Sequence, residues 1–417
     1  MTAAVAPRRE AFAALRHADF RVYFVLGLVA MMADNVEHVI TYWLIFERFH
    51  SAALAGFAVI SHWAPFLLFG ITFGALADRF DCRRIIQAGQ GLFILASFSW
   101  AALFLTNTLE AWHAVILLIV HGLAGALWSP ASQLFLYDVV GRDELQSAVR
   151  LNATSRNLGI LFGPSVGSGL LIALGPANGL LVNCLLYVPL IAWLFITRYT
   201  GHMHHGAGRV PQAISLADAW QTLKDVSRQP VILSMVVLAG ATSFLVGNAY
   251  QAQMPGFSAD IPGAQGEVGY GVLLTASAAG AVAAGFSLEW STWLRRASVL
   301  PALAMGVAWA LAIAVFAFTR SYLLAVVVLF IAGFLNLAFS SLAQTIVQLE
   351  APPDRRGRVV GLFSMSQNGL RVGSGLVVGV VGAAVGIHAS LGYAALVSLA
   401  ICAALLLLAR SPRVAFG

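Results

Sequence analysis

The sequence predicts an all-α polytopic membrane protein, with twelve transmembrane helices in two pseudo-symmetric six-helix bundles. Three observations point there. The 417 residues are 59% hydrophobic and only 10% charged, with mean hydropathy +0.83, whereas a soluble domain carries about 25% charged residues. The apolar residues recur in windows of roughly 20, each enough to cross ~30 Å of hydrocarbon as a helix. A polar break at 199–229 divides those windows six and six. The apolar–polar alternation that marks an outer-membrane barrel is absent.

The amino-terminal stretch "MTAAVAPRREAFAALRHADFR" is basic and amphipathic. It lacks the short apolar core and small-residue cleavage site of a signal peptide, so the first span is expected to be retained. The predicted spans are 20–47, 53–77, 84–106, 113–138, 150–174, 178–198, 230–255, 267–291, 298–318, 321–348, 358–384 and 388–409. They define an amino-terminal bundle (1–198), a cytoplasmic central loop (199–229) and a carboxy-terminal bundle (230–417). Of 24 Lys+Arg, Arg48 and Arg320 fall in outside loops and Arg156 and Arg371 within helices, leaving 20 on one side. The positive-inside rule makes that side, and both termini, cytoplasmic. The formal charge of +6 is explained by this orientation and requires no nucleic acid. Cys82, Cys184 and Cys402 are widely separated, so neither a disulfide nor a cysteine metal site is expected. "VGSGL" occurs at 166–170 and again at 372–376, in the fifth and eleventh spans. With the span count, this repeat suggests two parallel halves.

The first span contains "MMADNVEHVITYW", residues 31–43. A charge at the bilayer centre costs at least ~2.5–3.5 kcal/mol on insertion scales. Asp34, Glu37, His38 and Thr41 fall at i, i+3, i+4 and i+7, so they share one helix face. That face is expected to line a central cavity, where the acids couple transport to protons or bind substrate. Pairing of Glu37 and His38 with Arg156 or Arg371 is the structural alternative. Arg156, one turn after Asn152, and Arg371, four residues after Gln367, either contact an anionic cargo or neutralise those acids. Asn248, Tyr250, Gln251 and Asn336 are further candidates to line the cavity. His121 is expected to be a packed or cavity histidine rather than a metal ligand. "HMHH" at 202–205 is a weak metal signal, and no metal or other cofactor is expected. Lys224 is the only lysine and lacks a phosphate-binding loop around it, so an ion gradient rather than ATP is the expected energy source.

Two motifs carry a family resemblance. "GALADRFDCRR", residues 74–84, is similar to the loop signature of the major facilitator superfamily, Gly-x-Leu-Ala-Asp-Arg-x-Gly-Arg-Lys/Arg. Gly74, Leu76, Ala77, Asp78, Arg79, Arg83 and Arg84 match; Asp81 and Cys82 depart from it. Gly74 is expected to let helices approach closely, and Asp78 to accept from a helix N-terminus or pair with an arginine. In the fifth span, "GPSVGSG" resembles the Gly-Pro-x-x-Gly-Gly motif of drug:proton antiporters, with Ser168 in place of one glycine. Gly159, Gly163 and Gly167, at i, i+4 and i+8, form a ridge for tight packing, and Pro164 can distort the helix. The longer stretches 129–171 and 355–379 resemble the branch that includes the enterobactin exporter and macrolide efflux pumps.

The resemblance implies the major facilitator fold and export of a small amphipathic molecule, a siderophore or lipophilic drug, by proton antiport with alternating access. It implies a conformational latch of Gly74, Asp78, Arg79 and Arg83 with Asp138. It also raises the rank of Asp34, because an acidic residue near that position is common in the family. A multi-pass protein of the bacterial inner membrane, monomeric among its lipids, not an enzyme, is the expectation. A metabolite importer or facilitator on the same fold, or a lipid flippase, is the alternative.

Overall fold

The computed structural model describes residues 12–202, 223–290, 298–352 and 356–410. Among these residues every regular element is helical. A single 3-10 turn, Ala13–Arg16, precedes helix α1 (Ala18–Phe49). Helices α2 (Ala52–Arg79) and α3 (Cys82–Leu105) come next. Ala111–Ile196 is helical almost throughout, but Gly141 (φ 72°) and Gly175 (φ 75°) take left-handed backbone conformations that L side chains avoid. They divide it into α4 (111–140), α5 (142–174) and α6 (176–196). Without the break at Gly175 the apolar stretch Ser147–Ile196 would run 50 residues, about 75 Å of helix against ~30 Å of hydrocarbon. Eleven apolar stretches of spanning length, one of them doubled at Gly175, make twelve spans among the described residues.

In the second half, α7 (Pro230–Leu245) breaks where Gly247 takes φ 48°. The chain then continues through short helical turns, Ala249–Ala252 and Met254–Asp260. The sequence predicts an unbroken span over 230–255. The break falls where a Cβ at position 247 would lie 2.4 Å from Ser374 Oγ, so only glycine admits that approach. Helices α8 (Gly266–Trp290), α9 (Val299–Phe318) and α10 (Tyr322–Glu350) lie beyond it. Helix α11 (356–385) contains two π-helical turns, Met365–Gly369 and Gly375–Val380, and α12 (Ile387–Arg410) closes the chain.

Glycines set the helix packing. The ridge of α5 lies against α1: a Cβ at Gly159, Gly163 or Gly167 would approach Met31, Asn35 or Val39 Cβ to 2.8, 2.3 or 3.0 Å. Backbones this close gain dispersion contact along the whole crossing, the main attraction available between helices in lipid. The repeated pentapeptide does the same work twice. Gly167 meets Val36 and Val39 of α1, and its counterpart Gly373 meets Phe244 of α7. Between the halves, Gly56 of α2 faces Gly375 and Gly379 of α11, with backbone atoms 2.1–2.6 Å from the Cβ positions. Gly271 of α8 likewise lies against Ser168 and Ile172 of α5.

These contacts fall at the end of the molecule where α1 turns into α2. There Tyr270 Oη donates to Val39 O (2.8 Å), Gln253 Nε2 donates to Ala52 O (2.7 Å), and the rings of Trp43 and Tyr270 stack at 5.5 Å. The two halves are sealed to each other at this end.

Candidate functional site: a buried carboxylate–imidazole cluster

The polar face of α1 lies at mid-length and is buried. Asp34 is 6% exposed and Glu37 1%. Their i, i+3 spacing aims both carboxylates at α4, and His121 of α4 enters between them. His121 Nε2 lies 3.0 Å from Asp34 Oδ1, and Nδ1 lies 2.8 Å from Glu37 Oε1. One imidazole therefore bridges two buried carboxylates. Ser97 Oγ of α3 donates to Glu37 Oε2 at 2.5 Å, and Asn183 Nδ2 of α6 donates to Ser97 Oγ at 3.2 Å. Buried charges persist only when paired and hydrogen-bonded in this way.

A second layer comes from α2. His38 Nε2 and His62 Nδ1 are 3.2 Å apart, and their ring centroids lie 4.7 and 5.5 Å from that of His121. Trp63 is next in the chain after His62, and Arg371 of α11 places its guanidinium 4.9 Å from the Trp63 ring centroid. A cation held over an indole face is attracted by the ring quadrupole. Through Trp63 the cluster, which belongs wholly to the first half, touches the second.

The structure thus brings together Asp34, Glu37 and His38. The ion-pair partner of both acids is His121, not the arginines that the sequence offered; His121 is buried, as expected of a packed or cavity histidine. Thr41, on the same face, donates to Glu37 O at 2.7 Å and is consumed by its own helix. His62, Ser97 and Asn183 were missed. The signal for His62 was present, because an imidazole in the middle of "AVISHWAPFLL" violates the same cost that exposed Asp34. Ser97 and Asn183 carried no signal, since small polar residues are common in membrane helices.

The remaining candidates lie elsewhere. Asn152 is buried and Arg156 half-buried on α5; Asn336 is half-buried on α10. Tyr250 is buried and Gln251 half-buried beyond the break in α7, as is half-buried Asn248. Gln367 uses its backbone carbonyl to accept from Ser243 Oγ at 2.7 Å. No hydrogen bond among the described residues joins these side chains to the cluster.

The loop between α2 and α3 departs from expectation in two places. A Cβ at Gly74 would meet nothing within 4 Å, so Gly74 does not mediate the close helix approach predicted for it. Arg83 is held by Asp81, at 2.6 Å, and donates to Thr197 O at 2.6 Å. Asp138 accepts from Gly201 N at 2.6 Å. Asp81, the residue that departs from the family signature, caps α3 by accepting from Arg83 N at 2.9 Å. The side chain of Asp78 and residues 203–205 of "HMHH" lie outside the described residues; Arg79, at the end of α2, is exposed.

Partial burial pushes the Asp81 carboxyl up, but the Arg83 hydrogen bonds and charge outweigh it and hold the group below its ordinary value. A group lowered by folding stabilises above its unfolded pKa and loses that contribution as pH falls through its folded pKa. Asp81→Asn, which keeps the cap but loses the charge paired with Arg83, is therefore expected to lower the melting temperature of the detergent-solubilised protein at pH 7 by about a degree or two, roughly the effect of one partly exposed ion pair. The gap should close on acidification below pH 4. A gap that widens in acid would contradict this assignment.

Comparison with known proteins agrees with the geometry. Residues 9–415 match the family described as transmembrane secretion effector, a branch of the major facilitator superfamily. The multidrug efflux pump Tap of Mycolicibacterium fortuitum is 26% identical over 345 residues, 81% of this chain and 82% of its own. The staphyloferrin A transporter of Staphylococcus aureus is 21% identical over 275 residues, 63% of this chain and 65% of its own. Among solved structures, the nucleoside transporter NupG superimposes with a TM-score of 0.73 at 15% identity, covering 94% of this chain and 99% of that one. A bacterial homologue of the lysosomal transporter Spinster gives 0.68 at 16% identity, over 94% and 97% of the two chains. With the family matched along nearly the whole sequence and the twelve-helix fold shared, this chain is a multi-pass membrane transporter of the major facilitator superfamily and belongs to its transmembrane secretion effector family.

Proposed function

We propose that the protein exports a small amphipathic molecule, a lipophilic drug or a siderophore, across the bacterial inner membrane in exchange for protons. The observation that carries this reading is the Asp34–His121–Glu37 bridge, three ionisable side chains buried at mid-membrane depth in one bundle. Such groups are costly there and accompany ion pathways. The relatives Tap and the staphyloferrin A transporter lend the two cargo classes.

A carboxylate of the bridge can carry either a proton or its contact with the imidazole between the two acids. The proton and a cationic or hydrogen-bond-donating cargo then compete for the same acceptors, which is the minimal condition for antiport. Alternating access results if the bundles rock about the glycine contacts of α2 with α11 and α5 with α8. With both termini cytoplasmic, as the distribution of cationic residues predicts, the sealed end is the outer one. The domains at 1–198 and 230–417 are the two rocking bodies, with 199–229 tethering them.

The deciding experiment uses everted membrane vesicles with an imposed pH gradient. Accumulation of a fluorescent lipophilic drug or a radiolabelled siderophore that collapses with a protonophore is expected. Gradient-independent movement of every such cargo would defeat the proposal.

The seal gives a second prediction. Tyr270→Phe keeps the ring stack on Trp43 but deletes the hydrogen bond to Val39 O. A bond of this kind is worth about 0.5–1.5 kcal/mol. The population open at the sealed end should therefore rise roughly 2- to 13-fold, read as a longer distance component between spin labels placed on α1 and α8 at that end. An unchanged distance distribution would show that the bond does not hold the seal.

A further inference from the structure

Asp34, His38, His62 and His121 each offer one ligand atom, and these four atoms all lie within 4.8 Å of one another. Ligands of a tetrahedral ion bound at ~2.0–2.1 Å stand roughly 3.3 Å apart. The pair His121 Nε2 and Asp34 Oδ1, at 3.0 Å, and the pair His38 Nε2 and His62 Nδ1, at 3.2 Å, already have that spacing.

A second observation points to a ligand independently. Asp34 Oδ1 and His121 Nε2 are buried and, despite their approach, neither has a hydrogen-bond partner. At 3.0 Å the two atoms are close enough to share one ion, and their contact lacks hydrogen-bond geometry. The other face of His121 explains why. Nδ1 is held by Glu37 Oε1 at 2.8 Å, and Glu37 is held in turn by Ser97. A carboxylate that fixes the far nitrogen of an imidazole, leaving the near one for a cation, is the usual outer shell of a metal-bound histidine. Charge agrees: a divalent ion balances Asp34 and Glu37 with all three imidazoles neutral. Arg156 and Arg371 stand outside this set, the latter over Trp63.

We propose that Asp34, His38, His62 and His121 form a binding site for one divalent transition-metal ion of the zinc class, with Glu37 positioning His121. Three imidazoles and one carboxylate suit zinc, cobalt or nickel; magnesium and calcium prefer oxygen shells. The ligands come from α1, α2 and α4, so the ion would pin three helices of the first half without crossing to the second. The proposal does not rest on the exporter reading, because it concerns equilibrium binding with no gradient and no cargo.

The test uses the full chain in detergent, with any affinity tag removed. Because residues 202–205 contain three histidines, it is run on both the unmodified protein and the triple variant His202→Ala, His204→Ala, His205→Ala. Zinc is titrated by calorimetry, and the zinc-loaded triple variant is measured by X-ray absorption. One ion per chain, retained in the triple variant with a shell containing several imidazoles, is expected. His62→Asn should weaken it at least ~100-fold and Glu37→Gln roughly 10- to 100-fold, as for other outer-shell partners. Binding no tighter than ~1 mM, loss of the ion in the triple variant, or a shell of oxygen alone would overturn the proposal. The absorption measurement needs no cluster variant, so misfolding of His62→Asn leaves it decisive. Drug transport that fails while zinc binds would defeat the exporter reading only.

Discussion

Asp34→Asn and Glu37→Gln are expected to abolish accumulation driven by a pH gradient while sparing movement of cargo down its own gradient. Both amides keep the volume and one acceptor of the parent side chain but cannot ionise. For Glu37, the amide oxygen still accepts from Ser97 Oγ or faces His121, so the helix contacts survive. What is lost is the group that changes charge. Gradient-driven accumulation should fall to the level of membranes lacking the protein, because no ionisable acid remains at that position to couple to the gradient. Cargo counterflow without a gradient should persist at a reduced level, since each amide keeps one of the acceptors that cargo uses and rocking is untouched.

His121→Ala is the harsher counterpart. It leaves two carboxylates one turn apart in a buried site without the imidazole that joins them, and breaking a buried pair costs about 3–5 kcal/mol. That variant should fail thermally as well as functionally. If Asp34→Asn and Glu37→Gln both couple to the gradient as well as the parent, the cluster is a packing device and not a coupling site.

Gly163→Leu carries the second large effect. Even a methyl at this position would sit 2.3 Å from Asn35 Cβ and 3.2 Å from Met32 O. Neither neighbour is the free end of a flexible chain, so α1 must move away from α5. Overpacking of this kind costs about 1–3 kcal/mol for small insertions and more for a branched side chain. The displaced segment of α1 carries Asn35 and hence, on either side, Asp34 and Glu37. We expect a large loss of transport at undiminished membrane insertion, with a lower melting temperature in detergent. Gly167→Ala, whose Cβ would meet Val39 Cβ at 3.0 Å, should be milder. Gly169→Ala, with open space around it, should be silent. Equal tolerance at all three positions would show that the ridge does not set the helix spacing.

Much of this architecture was legible in the residues because the bilayer imposes coarse rules. Span number came from apolar length, and the functional face of α1 from the cost of a buried carboxylate. The glycine ridge itself has its echo in the repeated pentapeptide. Pairing between helices stayed hidden. Nothing in the spacing of Asp34 and Glu37 says that a histidine 84 residues onward enters between them. Two arginines offered the stronger charge, but Arg371 lies over an indole instead. The loop signature misled in a different way. Gly74 was given a close contact because of its type, yet it stands in open space. Arg83 was taken by Asp81, the very residue that breaks the pattern. In α11 the two π-helical turns defeat face counting, because each surplus residue rotates the remainder of the helix by about 100°.

The closure at the α1–α2 turn has one-sided chemistry. Both hydrogen bonds that cross it run from a side chain of the later half, Tyr270 or Gln253, to a main-chain carbonyl of the earlier half, at Val39 or Ala52. A carbonyl is supplied by any amino acid, whereas the donors have few substitutes. Mutational drift at 39 and 52 thus leaves those bonds intact, while a single change at 253 or 270 removes one. The ease with which this entrance opens is in that sense written in one half of the gene, and can evolve there without disturbing the ionisable cluster carried by the other.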